Sequence, residues 1–253
     1  MQTLYQVPDA LWNKVATIFE PKVRRRKRSL QVILSGIIYL LQNGCKWRSL
    51  PPQYGDYRLV WYYLNKWARY GVLDQALHIL GIQLRRRQGR SGEPSMLLID
   101  AQSVKTVAGS GDEVGYDAGK KVKGRKRHLA VDTQGTVMAA GVTSAFVHDK
   151  TGARVLRDDV EDRPSVRTIV ADGGYEGTPP FTASGRIRWI LIARRHTHRF
   201  SPLPVRWVVE RTFAWIINYR RLAKDYEKTI LMSRAMLVMC AIHITLKKLM
   251  TYF

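Results

Sequence analysis

The pattern of this chain changes across residues 88–95, Gln-Gly-Arg-Ser-Gly-Glu-Pro-Ser, and that change limits the folds open to it. Upstream, capping residues and apolar runs read as helices. Asp9 fits the N-cap of a helix from Ala10 to Glu20, which Pro21 stops. Ser29 caps a second helix through Gln42, with Asn43-Gly44 as its C-terminal stop. Pro51-Pro52 forces a break, and Asp56 caps a third helix through Tyr70 that ends at Gly71. A fourth runs from Leu73 to about Arg87. The aromatic stripe of the third helix, from Trp61 to Trp67, reads as core rather than a base-stacking surface.

Downstream, short β-branched and apolar runs at 96–100, 128–133, 136–143, 166–171 and 189–193 read as strands, with Thr133-Gln134-Gly135-Thr136 as a hairpin turn. Residues 108–127 are rich in Gly and Lys without an apolar period and read as a long loop. Helical signals return at 206–222 and 230–250. The sequence therefore predicts a small all-α domain over residues 1–90 and a layered α/β domain over residues 91–253.

Charge narrows the partner. The chain carries 42 Lys+Arg against 20 Asp+Glu, a formal net charge of +22. Residues 1–90 hold 16 Lys/Arg and 4 Asp/Glu, a balance of +12, and the remainder supplies +10, so the charge is not one basic tail. Such a balance points to nucleic acid first and an anionic membrane surface second. Arg24, Arg25, Arg26, Lys27 and Arg28 form a run between the first two helices, which fits a helix-turn-helix-like module or a solvated charge run. A second basic cluster is Lys120, Lys121, Lys123, Arg125, Lys126 and Arg127. The two cysteines, Cys45 and Cys240, are too few for a disulfide framework and read as reduced thiols. No signal peptide is read at Met1-Gln2-Thr3-Leu4. The apolar stretches Val32 to Leu41 and Met236 to Leu246 are shorter than the roughly 20 residues of a membrane span, so both read as core helices of a cytoplasmic, nucleoid-associated protein.

Against this basic background three acids stand out. Asp100 ends the apolar run Met96-Leu97-Leu98-Ile99, Asp172 ends Thr168-Ile169-Val170-Ala171 and precedes Gly173-Gly174, and Glu210 lies in a helical pattern. A polyphosphate-binding protein tolerates concentrated negative charge where a cation sits between carboxylate and phosphate. Two divalent ions roughly 4 Å apart activate the attacking oxygen and stabilise the leaving one, and magnesium favours carboxylate oxygen. Strand ends that neighbour each other would set Asp100 beside Asp172, and a helix packed on the sheet would bring Glu210 across. Each acid alone also fits a turn, a cap or a helical ion pair. Among the other acids, Asp132 reads as a structural hairpin residue, and Asp149, beside His148, as a lesser metal-site candidate. His128 reads as a structural strand residue, and Trp189, Trp207 and Trp215 as core residues of which one could stack on an extruded base.

Four segments in this order carry a family resemblance: Leu98-Ile99-Asp100-Ala101-Gln102-Ser103-Val104-Lys105, Gly124-Arg125-Lys126-Arg127-His128-Leu129-Ala130-Val131-Asp132, Ala171-Asp172-Gly173-Gly174-Tyr175, and Val208-Val209-Glu210-Arg211-Thr212-Phe213-Ala214-Trp215 followed by Tyr219-Arg220-Arg221-Leu222. They resemble the insertion-sequence-five group of bacterial DDE transposases, which have an RNase H-like catalytic fold. Gly44-Cys45-Lys46-Trp47-Arg48-Ser49-Leu50-Pro51 is similar to that group's N-terminal domain. The resemblance implies that Asp100, Asp172 and Glu210 are a catalytic triad holding two Mg2+ ions, with Mn2+ as a substitute. It also implies an N-terminal domain that recognises the terminal inverted repeats of the element. In related transposases a tyrosine, an arginine and a lysine surround the glutamate at Y-x2-R-x3-E-x6-K spacing. Arg206 stands at the arginine position here, but Leu203 and Ile217 replace the tyrosine and the lysine, while Arg220 and Arg221 follow one turn later.

The expectation is a DNA transposase acting on double-stranded element ends and target DNA, as a homodimer or larger assembly, without a membrane. Arg206, Arg211, Arg220, Arg221 and the basic segment 120–127 are expected to track phosphates. The alternatives are a non-catalytic DNA-binding descendant and a nuclease without strand transfer.

Overall fold

A computed structural model of the 253-residue chain describes residues 5–20, 28–111, 113–177, 186–192 and 207–252. Four helices come first: α1 (Asp9–Phe19), α2 (Leu30–Asn43), α3 (Tyr57–Arg69) and α4 (Val72–Arg87). Local chemistry sets three of their ends. The Ser29 hydroxyl accepts from Val32 N, and the Asp56 carboxylate accepts from Arg58 N. Gly44 closes α2 in the left-handed region at φ 68°. A side chain there would meet the Arg220 backbone at 3.2 Å, so the position needs glycine for conformation and for space. Helix α1 departs from expectation: Pro8 is its N-cap, and Asp9 is its first residue, where a carboxylate still favours the positive end of the dipole.

Six strands follow among the described residues: β1 (Met96–Lys105), β2 (Gly115–Asp117), β3 (Val122–Val131), β4 (Val137–Ser144), β5 (Thr168–Asp172) and β6 (Arg188–Ile192). They form one mixed sheet of order β2-β3-β1-β5-β6, with β4 also paired to β3. β1, β3 and β4 are antiparallel, and β1, β5 and β6 are parallel. Short helices α5 (Asp149–Gly152) and α6 (Arg157–Glu161) connect β4 to β5, and α7 (Trp207–Ile217) and α8 (Ile230–Met250) complete the fold. The expected all-α segment followed by an RNase H-like mixed sheet is the architecture observed.

The reading of 108–127 as one loop is corrected. β2 and the first half of β3 lie inside it, because Arg125, Lys126 and Arg127 find buried acceptors that a local hydrophobicity pattern does not reveal. β3 and β4 turn at Thr133-Gln134-Gly135-Thr136, with Gly135 at φ 79°. The Asp132 carboxylate accepts from Gln134 N and Thr136 N, each at 2.9 Å, and is ion-paired to Arg85 and Arg90. Asp132 is thus a structural residue, as expected.

Two apolar clusters flank the sheet. The larger takes Leu98, Leu129, Val131, Val137, Ala140, Val142 and Val170 from one face and joins them to α1–α4, α7 and α8. The smaller takes Leu97, Ile99, Ala130 and Ile169 from the other face and joins them to Leu156, Val160 and Tyr175. The larger core crosses residues 88–95, so helices on both sides of that segment share one interior. Helix α8 spans 21 residues and is long and apolar enough to cross a membrane, which corrects the shorter apolar stretch expected there. Most of it is buried in the core, where it packs on α3, α4 and β4.

Candidate active site

The two aspartates meet through strand register. β1 and β5 run parallel, with Leu97 opposite Ile169 and Leu98 opposite Val170. Two steps further along both strands stand Asp100 and Asp172. Alternation puts both on the face of Leu98 and Val170, the face of the larger core. Neighbouring strands lie about 4.8 Å apart where they pair, and the β1–β5 register ends at Leu98 and Val170, two residues before the two carboxylates. Asp172 ends β5, and its Oδ1 accepts from Gly174 N at 2.9 Å, which fixes the turn that follows. Asp100 is not at a strand end, a correction to the sequence reading. β1 continues to Lys105 because β3 pairs with it throughout, Asp100 facing Leu129. Its Oδ1 accepts from Ala101 N at 2.7 Å. Both aspartates are half-buried.

Glu210 comes from the helix on that face. Val208, Val209 and Phe213 of α7 enter the larger core, and α7 packs against β1 and β3. Arg211 Nη2 donates to Gln134 O at 3.1 Å, and Thr212 Oγ1 donates to Gly135 O at 3.2 Å, which anchors α7 at the β3–β4 turn. Glu210 is exposed on the helix flank. Among the described residues, no three or more His, Cys, Asp or Glu side chains stand close enough together to hold a metal ion. The structure thus brings the two aspartates to adjacent strands and sets Glu210 on the covering helix, without closing the three into one cluster. The donor chemistry, carboxylate oxygen only, suits a hard divalent cation such as Mg2+ or Mn2+.

The expected phosphate contacts divide by burial. Lys120, Lys121 and Lys123 are exposed around the β2–β3 turn, as are Arg28 and Arg220, and Arg211 is half-exposed. Arg125, Lys126 and Arg127 are buried, which corrects their assignment to a DNA-tracking loop. Arg125 donates to Asp225 Oδ2 at 3.2 Å and to the carbonyls of Glu227 and Ser110, both at 2.8 Å. Lys126 Nζ lies 2.7 Å from Asp149 Oδ1 and donates to Val147 O at 2.8 Å. Arg127 Nη1 donates to Leu222 O at 2.8 Å, and burial draws its guanidinium down to about 10. Arg221 is likewise buried and paired with Glu227, so its charge is satisfied inside the fold. Arg24, Arg25, Arg26, Lys27, Leu203 and Arg206 lie outside the described residues.

The remaining candidates resolve structurally. Asp149 is held by Lys126 and, at 3.6 Å, by Lys120. Burial alone would raise the nearby Asp117 carboxyl, but Ser103, the Lys120 amide and Lys126 hold it down to about 2. His128 is buried, meets Thr143 Oγ1 at 2.9 Å, and is kept neutral by desolvation, down to about 4. Trp189 packs at the edge of the smaller core. Trp207 is exposed instead of core. The Arg211 guanidinium lies 4.3 Å from the Trp207 ring centroid and 4.7 Å from that of Trp215, and Lys248 Nζ stands 4.0 Å over Trp215. The four-residue spacing of 207, 211 and 215 held the signal for this stack, while Lys248 joins it from α8 and has no local signal.

Residues 91–245 match the family described as "Transposase DDE domain", and residues 7–77 match the "Putative transposase of IS4/5 family". The chain is similar to the "Putative transposase for insertion sequence element IS402" of Burkholderia cepacia, 39% identical over 118 residues, which is 42% of this chain and 54% of that protein. The chain thus matches about half the length of that relative. It is also similar to the "Insertion element IS402 uncharacterized 16.2 kDa protein" of the same organism, 29% identical over 43% of this chain and 78% of that one. A third relative is the "Uncharacterized protein y4sN" of Sinorhizobium fredii, 29% identical over 38% of this chain and 74% of that one. No solved structure matches the chain.

Proposed function

The chain belongs to the DDE transposases of bacterial insertion sequences, and on that premise we propose that it binds the terminal inverted repeats of its own element and catalyses metal-dependent strand cleavage and strand transfer. The observation that supports this reading is that Asp100 and Asp172 each stand two residues beyond the paired Leu98 and Val170 of neighbouring parallel strands, on the face of the core that α7 joins. Asp100, Asp172 and Glu210 are the residues that would hold two divalent ions, Mg2+ or Mn2+. Such ions, when bound, supply Lewis-acid activation of an attacking oxygen and stabilise the leaving one.

The rest falls to the chain's own groups. In the first step a water oxygen bonds to phosphorus at the element boundary, the bond from phosphorus to the 3′ oxygen breaks, and a 3′ hydroxyl is released. In the second that hydroxyl oxygen attacks a target phosphate and displaces the target's own 3′ oxygen. Arg211 and Arg220, with Lys120, Lys121 and Lys123, are exposed or half-exposed and would hold phosphates along the approach. The helical residues 1–90 act as the end-recognition unit and residues 91–253 as the catalytic unit. Joining two ends in one event calls for a homodimer or larger assembly on DNA.

The test is cleavage of a labelled element-end duplex, with Mg2+ or with chelator, by wild type and Asp172→Ala. Nicking at the element boundary that needs Mg2+ and is lost in the variant, while binding persists, supports the reading. Tight binding without cleavage, unchanged by the substitution, leaves a DNA-binding descendant of a transposase instead.

A further inference from the structure

Helix α3 turns to solvent a face that neither the core nor the acid pair uses. Val60, Leu64 and Trp67 bury its inner side. Along the outer side lie Arg58, Trp61, Tyr62, Asn65, Lys66 and Arg69, spaced as one helical stripe. The expected aromatic core stripe is therefore split: Trp67 is buried, but Trp61 is 40% and Tyr62 51% exposed. Every formal charge on the helix is positive. Asp56, the neighbouring acid, is engaged as the N-cap. Arg69 Nε donates to Asn65 Oδ1 at 2.7 Å, which fixes the orientation of that amide. Lys66 Nζ stands 6.0 Å from the Tyr62 ring centroid. At the start of the helix, Arg28 shares a surface depression with Tyr57 and Leu59, so the stripe extends to a fourth cation.

Large aromatics on the solvent face of a helix call for a covering partner, and charge selects which one. A second copy would set one cation-lined face against another and be repelled. A nucleic-acid duplex matches it. The 13-residue helix is about 20 Å long, and its width of roughly 10–12 Å suits a major groove about 12 Å wide. A fixed Asn amide in such a groove pairs in two places with an adenine edge, and flanking Arg and Lys reach phosphates. We propose that α3 is the helix that enters the major groove of the element-end duplex, with Asn65 reading a base edge and Arg58, Lys66 and Arg69 gripping the backbone. This rests on the transposase reading above and names the surface that carries its end recognition.

The experiment uses the full chain as wild type, Asn65→Ala and the double variant Arg58→Ala/Arg69→Ala. Equilibrium binding is measured on a labelled element-end duplex and a shuffled duplex of equal length, across a salt series. Asn65→Ala is expected to lower the preference for the element end roughly tenfold while binding to the shuffled duplex stays the same. The double variant is expected to weaken both and to flatten the log–log salt slope by about 2. Wild type that prefers the element end, with variants that keep both preference and slope, overturns the role of α3 and leaves the transposase reading intact. Wild type with no preference and no cleavage overturns both. A double variant that changes sedimentation but not DNA binding makes α3 a contact between copies and overturns the proposal. Because the three positions are outside the core, melting temperatures close to wild type are expected, and Lys66→Glu, a charge reversal at a fourth, should repeat the loss on both duplexes.

Discussion

Arg221 donates from both Nε and Nη2 to one oxygen of Glu227, at 2.9 and 2.8 Å, with both side chains buried. Its third nitrogen, Nη1, donates to Cys45 O at 2.8 Å, and the other Glu227 oxygen accepts from Trp47 Nε1 at 3.4 Å. The segment Gly44–Pro51 from the helical half and the segment Tyr219–Leu222 from the sheet-bearing half are therefore held by one buried ion pair. Arg221→Ala leaves Glu227 buried without its cation and is expected to cost about 3–5 kcal/mol. Denaturant unfolding checks this, and a loss under about 1 kcal/mol would show the pair to be incidental.

A second buried acid is tested in the same way. Asp132 braces the β3–β4 turn and pairs with Arg85 from α4. Asp132→Ala is expected to destabilise by about 3–5 kcal/mol, and removing both charges in Arg85→Met/Asp132→Leu to recover part of that loss. A double variant no better than the single would show that the hairpin hydrogen bonds dominate instead of the ion pair.

Stability should fall as the solution is acidified through the histidine range. His243 sits between Tyr5 Oη at 3.0 Å and Tyr219 Oη at 2.8 Å, and burial holds both His243 and His128 down to about 4. An unfolded histidine titrates near 6.5. Between about pH 6.5 and pH 4 the unfolded chain binds protons that the folded chain refuses, so stability is highest above that window and drops as pH falls through it. Each group is worth on the order of 3 kcal/mol across the full range. Unfolding midpoints at several pH values give the slope, and His128→Gln should make it shallower.

Charge neutralisation separates the acid pair from the other acids. Asp100→Asn and Asp172→Asn are each expected to lower cleavage of an element-end duplex a hundredfold or more, with DNA binding equal or tighter because a negative charge is gone. Asp158→Asn, on the exposed side of α6, should cleave as wild type does. Equal losses at all three positions would count against Asp100 and Asp172 as the reacting acids.

Salt dependence distinguishes surface cations from interior ones. Substituting Lys120, Lys121, Lys123 or Arg220 with Ala is expected to lower the slope of log K against log salt by about 0.9 for each phosphate left without its cation. Arg125→Ala is expected to reduce folded protein instead, because its guanidinium ties Ser110, Asp225 and Glu227 together. Binding isotherms and melting curves on the same samples give both numbers.

The contrast between those two sets of cations also shows where sequence reasoning stops. Ser29, Asp56 and Gly44 were legible because a cap acts within three residues of itself. Asp100 and Asp172 were legible as acids ending apolar runs, but the extension of β1 beyond Asp100 depends on pairing with β3. Arg125, Lys126 and Arg127 look like a solvated run because the groups that neutralise them are remote, Asp225 standing 100 positions from Arg125. The outward turn of Trp61 and Tyr62 depends on which side of α3 meets α2, α4 and α8, and only the assembled helices decide that.

Helix α8 has a consequence for how the protein is made. It follows the first four helices by more than 140 residues in sequence, yet it fills the interior they share. As the chain leaves the ribosome, α1–α4 emerge long before the element that seals their apolar faces, and contacts of such separation form slowly. A nascent chain cut short before Ile230 would hold the four-helix half without its cover. Synthesis has to pass α8 before the first four helices gain that cover, so the order of translation itself sets when they become stable.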